Sequence, residues 1–447
     1  MHQRFLLLVC VSALGSCTAF TARPISAEAS AAGFDARRLT APELRAALQK
    51  EGVPLRSQWS LSQLAAAARH LNPDLAVLRA KAQTACAAFQ TAGERPNPVL
   101  SLKPGYNSTK AKGVSPWILE PALDFTIETG GKRGARMAAA AAKTRMALLE
   151  AAAGEWKVRS DIRRALLAMH AADATRGQYR GQESAQAEAA RLLESQLRDG
   201  AASPQDVAAA RIPLNQTRLS MHDTDMQAAK ARGQLAAAVG VPVAAFGGIR
   251  FDFSEVTRLP GAPAGGAARR HVLTHRPDIL AALADYAASE DLVRLEVAKQ
   301  YPDIKLGPGY QLDQGDNKWS LGIGFELPIF NQHKGAIAEA EAKREEAAAR
   351  FLAVQAKALA EIDVALAVYR AARAKADAAG ALLMDVQAQT KAAESMKAAG
   401  ELSLVDVSQR RVEQSAADLA RQQARLQALE AVGALEDALQ TPASQWK

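Results

Sequence analysis

Residues Tyr301–Lys343 read YPDIKLGPGYQLDQGDNKWSLGIGFELPIFNQHKGAIAEAEAK, and the parsing of this stretch decides the fold. From Trp319 to Leu327 the odd positions are Trp, Leu, Ile, Phe and Leu, and the even ones are Ser320, Gly322, Gly324 and Glu326. That period of two marks a strand with one apolar face. The preceding run, Ile304 to Tyr310, puts Ile304, Leu306 and Tyr310 on one side, with Lys305 and Gln311 pointing the other way. A hairpin with a fully apolar face, followed at once by an alanine-rich helix, needs a special neighbour for that face.

The same pattern occurs earlier. A run from Val99 to Tyr106, a loop containing Asn107-Ser108, and a run from Trp117 to Glu128 make a first hairpin, in which Leu123, Phe125 and Ile127 alternate with Asp124, Thr126 and Glu128. Asn72-Pro73-Asp74 aligns with Arg276-Pro277-Asp278, Pro98 with Pro302, and Pro104-Gly105-Tyr106 with Pro308-Gly309-Tyr310, each separated by 204 residues. Gly200 and Asp206-Val207 align with Gly400 and Asp406-Val407 at a separation of 200. A period this long is a duplicated domain rather than a solenoid unit.

No proline falls between Pro121 and Pro204, or between Pro328 and Pro442. The helix after each hairpin can therefore run to roughly sixty residues, about 90 to 100 Å. In the second copy Phe351, Val354, Ala358, Ile362, Ala365, Tyr369, Ala372, Ala376, Ala379, Leu383 and Val386 step by three or four, a sustained coiled-coil seam. Leu352, Leu359 and Leu366 form a second stripe, so this helix is expected to pack neighbours on both sides. Both long helices stop at glycine turns, Arg198-Asp199-Gly200-Ala201 and Ala398-Ala399-Gly400-Glu401, and helices return through Gln205–Ala238 and Leu404–Leu439.

The expected organisation is a signal peptide over 1–16, a leader and first helical segment over 17–58, and a first repeat over 59–246 with hairpin 98–129 and long helix 133–198. A linker over 247–267 leads to a second repeat over 268–440, with hairpin 302–329 and long helix 334–398, and a tail over 441–447. Residues 18 to about 40 are small and polar and read as a poorly ordered leader. Arg4 and the apolar run Phe5–Leu14 form the h-region of a secretory signal, too short to span a bilayer. Leu14-Gly15-Ser16-Cys17 resembles a bacterial lipobox, which makes Cys17 the candidate lipidated residue; an ordinary signal peptide that happens to contain Cys17 is the alternative. With Cys17 lost to lipid, Cys86 has no partner, and no intramolecular disulfide is expected.

Across the 447 residues only 5% are aromatic and 23% are charged, and alanine recurs throughout, the composition of long packed helices. The net charge of +8 is spread over interleaved acids and bases, without a base-reading motif or stacking platform, so no nucleic-acid partner is expected. A basic nucleic-acid binder would bind DNA with strong salt dependence. Thr126 stands where a phosphate loop around Gly130-Gly131-Lys132-Arg133 would need its first glycine, so this segment reads as a strand-to-helix corner. His271 and His275 have the spacing of a metal pair but no third ligand in the pattern, and a helix-start role is expected of them instead. No constellation supports catalysis, so no enzyme activity, metal or cofactor is expected.

Two hairpins give four strands per chain. Membranes admit sheets only as closed barrels, and the smallest have about eight strands, so one chain cannot close its own. Trp117 and Trp319 start their strands, and Tyr106 and Tyr310 end theirs, at places suited to a membrane-interface girdle.

With Asn72-Pro73, Arg276-Pro277-Asp278, the hairpin from Pro308-Gly309-Tyr310 to Pro328, Ile127–Arg133 and Gly335-Ala336-Ile337, the chain resembles the TolC-like outer-membrane efflux proteins over nearly its full mature length. Within them it is most similar to the outer-membrane components of cobalt-zinc-cadmium type heavy-metal efflux systems. The resemblance implies a mainly α fold with a small β part. It also implies a homotrimer with a twelve-stranded barrel in the lipid of the outer membrane and a helical barrel across the periplasm. The implied partners are a periplasmic adaptor and an inner-membrane RND-type pump. It places Asp406 on an aperture aspartate and Asp206 on the aspartate that ties the inner helix pairs together; a second aspartate expected three residues after Asp406 is Gln409. Where the family has an aromatic and an arginine bonding across the gap, this chain has Lys397 and Leu402. Lys397 and Asp206 then either form an ion pair that helps close the entrance or are both solvated helix-end charges. An exit duct for drugs or secreted peptides and a pore-less periplasmic coiled-coil scaffold are the competing functions.

Overall fold

The computed structural model describes residues 20–109 and 111–446; Cys10, Cys17 and the signal region lie outside them. Four short helices come first, α1 (Ala27–Asp35), α2 (Pro42–Lys50), α3 (Leu61–Leu71) and α4 (Pro73–Ala92). The first hairpin is β1 (Val99–Tyr106) and β2 (Trp117–Ile127), followed by α5 (Lys132–Arg198) and α6 (Pro204–Val239). The second copy repeats the order with α7 (Gly265–His275), α8 (Pro277–Ala298), β3 (Ile304–Asp313), β4 (Asp316–Phe325), α9 (Lys334–Ala398) and α10 (Leu404–Leu439). The duplication, the two hairpins and the two long helices are as the sequence led us to expect; α5 has 67 residues and α9 has 65, each about 100 Å long. No described helix is long and apolar enough to cross a membrane.

The four strands form one antiparallel sheet in the order β1-β2-β3-β4. Beneath it α4, α5, α8 and α9 lie side by side, and further down the neighbours are α6, α5, α10 and α9. Helices α5 and α9 thus run the whole length, while the position outside α5 and the position between α5 and α9 are each filled by two helices end to end.

The repeated Asn-Pro and Arg-Pro motifs make those end-to-end joints. Asn72 caps α4 by accepting the Leu75 N–H at 3.1 Å, and its Nδ2 donates to Ala238 O, near the C-terminal end of α6, at 2.8 Å. In the second copy Arg276 donates to Ala438 O at 2.9 Å, and is held by Asp278 and Glu361 at 2.9 and 2.6 Å. Gly240, which ends α6, has φ +86°, and a Cβ there would lie 2.5 Å from Leu71 O, so no other residue fits this joint without moving the backbone.

Each copy has its own core beside its joint. Leu39, Trp59, Leu64, Ile162, Leu166 and Phe246 fill the first; Val272, Ile279, Ile362, Tyr369, Val432 and Leu435 fill the second. The seam expected on α9 is buried at Ala358, Ile362, Ala365 and Tyr369. Of the second stripe, Leu366 is buried, whereas Leu352 is exposed because no helix of the same protomer covers that side.

Three expectations need correction. From residue 20 onward the expected poorly ordered leader is structured: Ser26 caps helix α1, and Arg37 donates to both Leu71 O and Gly240 O at 2.7 Å, covering the first joint. His271 and His275 lie towards the C-terminal end of α7, not at a helix start, because Gly265 opens that helix and Pro277 lies just beyond its end. They stack with centroids 4.5 Å apart, and His271 Nε2 pairs with Thr441 Oγ1. Finally, Tyr310 and Trp319 do not end and start their strands. The ladder continues past them through Leu312↔Asn317 to Asp313↔Asp316. A two-residue turn with Gln314 and Gly315 both at positive φ, as tight hairpins require, lets pairing run to its tip.

Candidate functional site

Two regions at opposite ends of the long helices carry the candidate functional residues. At the sheet end, register places every large apolar residue of β3 and β4 on one face: Ile304↔Phe325, Leu306↔Ile323, Pro308↔Leu321 and Tyr310↔Trp319. Phe125↔Leu306 and Ile127↔Ile304 carry that face onto β2, and Leu100↔Leu123 carries it onto β1. It is uncovered: Trp319 is 82% exposed, Ile323 65% and Leu100 72%. A contiguous apolar sheet surface of this size needs an apolar partner. Tyr106 packs on Trp117 with centroids 5.2 Å apart, and Tyr310 on Trp319 at 4.9 Å. The two aromatic pairs thus occupy equivalent places on the apolar face, towards the turn end of both hairpins.

Apart from Val99 and Ile118, the opposite face is polar or small. Lys103 sits across from Glu120, Gln311 donates to Glu120, and Lys318 meets Asp313 at 2.6 Å. A Cβ on Gly307 would lie 2.6 Å from Asp124 Oδ1, so glycine leaves room for that carboxylate. Both outer strands, β1 and β4, have one unpaired edge.

A corner joins sheet to helix. Gly130 and Gly131 both adopt positive φ; Thr129 Oγ1 donates to Pro302 O at 2.6 Å, and Lys132 Nζ meets Asp303 at 2.6 Å. Arg136 pairs with Glu128 at 2.7 Å. The motif is a strand-to-helix corner stapled to the second repeat.

At the other end, the two helical turns are near copies. Gly200 (φ +77°) and Gly400 (φ +81°) close the helices, with Ala201 N–H donating to Gln196 O and Glu401 N–H to Met396 O. Ser203 and Asp206 then cap α6 reciprocally, as Ser403 and Asp406 cap α10. Asp206, Asp406, Lys397 and Gln409 are all exposed at this end. The structure therefore brings the two aspartates to matching turns, but it does not pair Asp206 with Lys397 inside one protomer: Asp206 Oδ2 accepts from the Ser203 N–H and hydroxyl at 2.8 and 2.7 Å. Among the described residues no ion pair involves Lys397.

Ser203 and Ser403 hold the carboxyls of Asp206 and Asp406 below the ordinary value of 3.8 by donating to the ionised form. A group whose folded pKa is depressed contributes stability that is present above its unfolded value and lost as pH falls through the folded one. Both turns should therefore fray as pH drops below about 3.8. Hydrogen exchange at the amides of 203, 205–207 and 403–407 checks this: measured against the intrinsic rate at each pH, protection is expected to fall on acidification of the native chain, and Asp206→Ala should show the lower protection in its own turn already at neutral pH.

Sequence reading missed the ion pairs that clamp these turns. Arg211 meets Glu194 at 2.6 Å, Arg411 meets Glu394 at 3.0 Å, and each residue is separated from its counterpart by 200, a signal that was present in the repeat. It also missed the buried network between α5 and α10, where Arg163 Nε is 2.7 Å from Glu436 Oε2 and Asp437 accepts from Ser160 and Trp156 at 2.6 and 3.2 Å. Among the described residues no group of three or more His, Cys, Asp or Glu is placed to hold a metal.

The chain thus combines an open-edged sheet with one uncovered apolar face at one end of a helical wall with paired acidic turns at the other. The chain belongs to the outer membrane efflux protein family, whose model matches residues 64–241 and 269–440. It is 25% identical over 237 residues to the cobalt-zinc-cadmium resistance protein CzcC of Cupriavidus metallidurans; the match covers 52% of this chain and about half (55%) of that protein. Its fold is that of the outer membrane protein VceC of Vibrio cholerae, with a TM-score of 0.70 at 21% identity, over 85% of this chain and 95% of that one. CusC, described in terms of transmembrane channel formation, superposes with a TM-score of 0.69 at 18% identity, over 85% of this chain and 91% of its own. The residues that carried the resemblance, Asn72-Pro73, Arg276-Pro277-Asp278 and Gly130-Gly131-Lys132-Arg133, are the helix joints and the corner of this fold.

Proposed function

We propose that the chain is the exit duct of a tripartite efflux system, a homotrimer whose three sheets close a twelve-stranded barrel in the outer membrane. The observation that carries this reading is the four-stranded sheet with two open edges and one continuous, uncovered apolar face. In lipid an open edge leaves backbone groups without partners, so edge β4 of one protomer pairs with β1 of the next. Helices α5, α6, α9 and α10 continue the barrel as a periplasmic tunnel. Their turns bring Asp206 and Asp406, with Lys397 and Gln409, to the entrance, where a periplasmic adaptor and an RND-type inner-membrane pump deliver cargo. Three Asp406 carboxylates around one constriction favour cations. We assign Lys397 of one protomer and Asp206 of a neighbouring copy to an ion pair that helps close this entrance. Cys17 is the lipid attachment site.

The cargo we assign is heavy-metal cations, supported by the likeness to a cobalt-zinc-cadmium resistance protein over half the chain. A strain lacking this protein but keeping its pump and adaptor tests it. Restored growth on cobalt, zinc or cadmium after complementation is the expected result. Restored resistance to organic drugs with no change in metal tolerance would overturn the metal assignment while leaving the duct.

A further inference from the structure

The duplication predicts a second corner contact that one protomer cannot complete. Within the chain the β2–α5 corner is seated on the entry to β3. Thr129 Oγ1 donates to Pro302 O, Thr129 N–H donates to Asp303 Oδ1 at 3.1 Å, and a Cβ on Gly130 would lie 3.1 Å from Tyr301 Cβ. Entry strands of the two copies are related by 204 residues and exit strands by 202, as Trp117 with Trp319 and Lys132 with Lys334 show. The counterparts of Thr129, Gly130 and Lys132 are therefore Asn331, Gln332 and Lys334, and those of Tyr301, Pro302 and Asp303 are Asn97, Pro98 and Val99. Gly131 and His333, the residues that open α5 and α9, share the left-handed backbone, at φ +76° and +58°. The two halves of this second contact stand at opposite edges of the sheet, after β4 and at the entry to β1, and cannot meet within one chain. Val99, Leu327, Ile329 and Phe330 are left exposed there.

We propose that the corner Asn331–Lys334 seats on Asn97–Val99 of a second copy of this chain. The inference rests on the assembly reading above and gives it residue-level partners. It also fixes a difference in chemistry. Val99 stands where Asp303 receives Lys132, and Phe330 and Ala338 stand where Glu128 and Arg136 pair. The corner within a chain is held by two ion pairs, whereas the corner between chains has lost both and closes on apolar surface. Around the ring, joints held by ion pairs alternate with joints that lack them, and the latter mark the boundaries between protomers.

Paired cysteines test this in outer membranes carrying the full chain. In a Cys86→Ser background, Asn97→Cys with Gln332→Cys and, separately, Val99→Cys with Asn331→Cys are oxidised mildly and run boiled and unreduced. Thr129→Cys with Asp303→Cys serves as the in-chain control, and each single cysteine variant controls for other thiols. The expected result is a covalent dimer and trimer from at least one inter-copy pair, absent from the single variants, with the control pair bridging inside one chain. A disulfide needs Cβ atoms about 3.5 to 4.5 Å apart, so bridging reports direct contact. If the unboiled sample runs as an oligomer and the control bridges, but neither inter-copy pair does, the proposed contact is wrong and the trimer stands. Absence of any unboiled oligomer from the native chain overturns the assembly reading and the contact with it.

Discussion

Arg163→Met is expected to destabilise the protomer by about 3–5 kcal/mol, the usual cost of leaving one member of a buried ion pair without its partner. Arg163 is 2% exposed and Glu436 4%. Its Nη2 donates to Leu429 O at 3.2 Å; Arg159 approaches the same carboxylate at 3.5 Å, and the Ala443 N–H donates to Glu436 Oε1 at 2.6 Å. Removing the guanidinium leaves the buried Glu436 side chain, in a packed interface between the two repeats, with only the more distant Arg159 and the Ala443 N–H. Replacing both partners, Arg163→Met with Glu436→Leu, should recover most of the loss, because the desolvation cost disappears with the charges. Denaturant unfolding of the detergent-solubilised protein measures both; a single variant within about 1 kcal/mol of the native chain, well below the cost of an orphaned buried charge, would show that the network does not hold the repeats together. Gly433→Ala should damage the same place, since a Cβ there meets the Arg163 guanidinium. Burial also pushes the neighbouring Asp437 carboxyl above its ordinary value of 3.8, against the hydrogen bond from Ser160. Its contribution is therefore present below 3.8 and lost as pH rises through the raised value.

A lysine at Ile323 should have an effect of similar size on assembly and none of that kind on the opposite face. Ile323 lies in the middle of the uncovered apolar face, where a cation facing the bilayer midplane costs about 2–4 kcal/mol. Ser320 belongs to the polar face of the same strand, and Ser320→Lys should be tolerated. The amount of unboiled oligomer recovered from outer membranes separates the two. Equal recovery of both variants would mean that the faces have been assigned the wrong way round or that the sheet is not in lipid.

Much of this fold is legible in the chain because its signals are local. The alternation from Trp319 to Phe325, the proline-free runs and the paired Gly200 and Gly400 each specify an element without reference to distant residues. Asp206 and Asp406 are legible as equivalents, and Ser203 and Ser403, three residues before them, carry the matching cap signal. The ladder beyond Tyr310 and Trp319 was missed because Gln314-Gly315 lies inside a polar stretch that also reads as a longer loop. Helix α1 was obscured by its small, polar composition, despite Ser26 ahead of it as a cap. The least legible contacts are those between residues far apart in sequence: Arg37 with Gly240 is separated by 203 positions, and Ser160 with Asp437 by 277. Which arginine becomes a helix-joint cover or a buried stitch is decided by how the two copies pack, and no local pattern encodes it.

Single-channel recording of the purified oligomer in a planar lipid bilayer tests the central claim most directly. The duct predicts discrete conductance steps and a reversal potential that favours cations across a salt gradient, with that preference reduced in Asp406→Ala. Oligomer that inserts into the bilayer but never conducts would contradict a pore and leave a scaffold in its place.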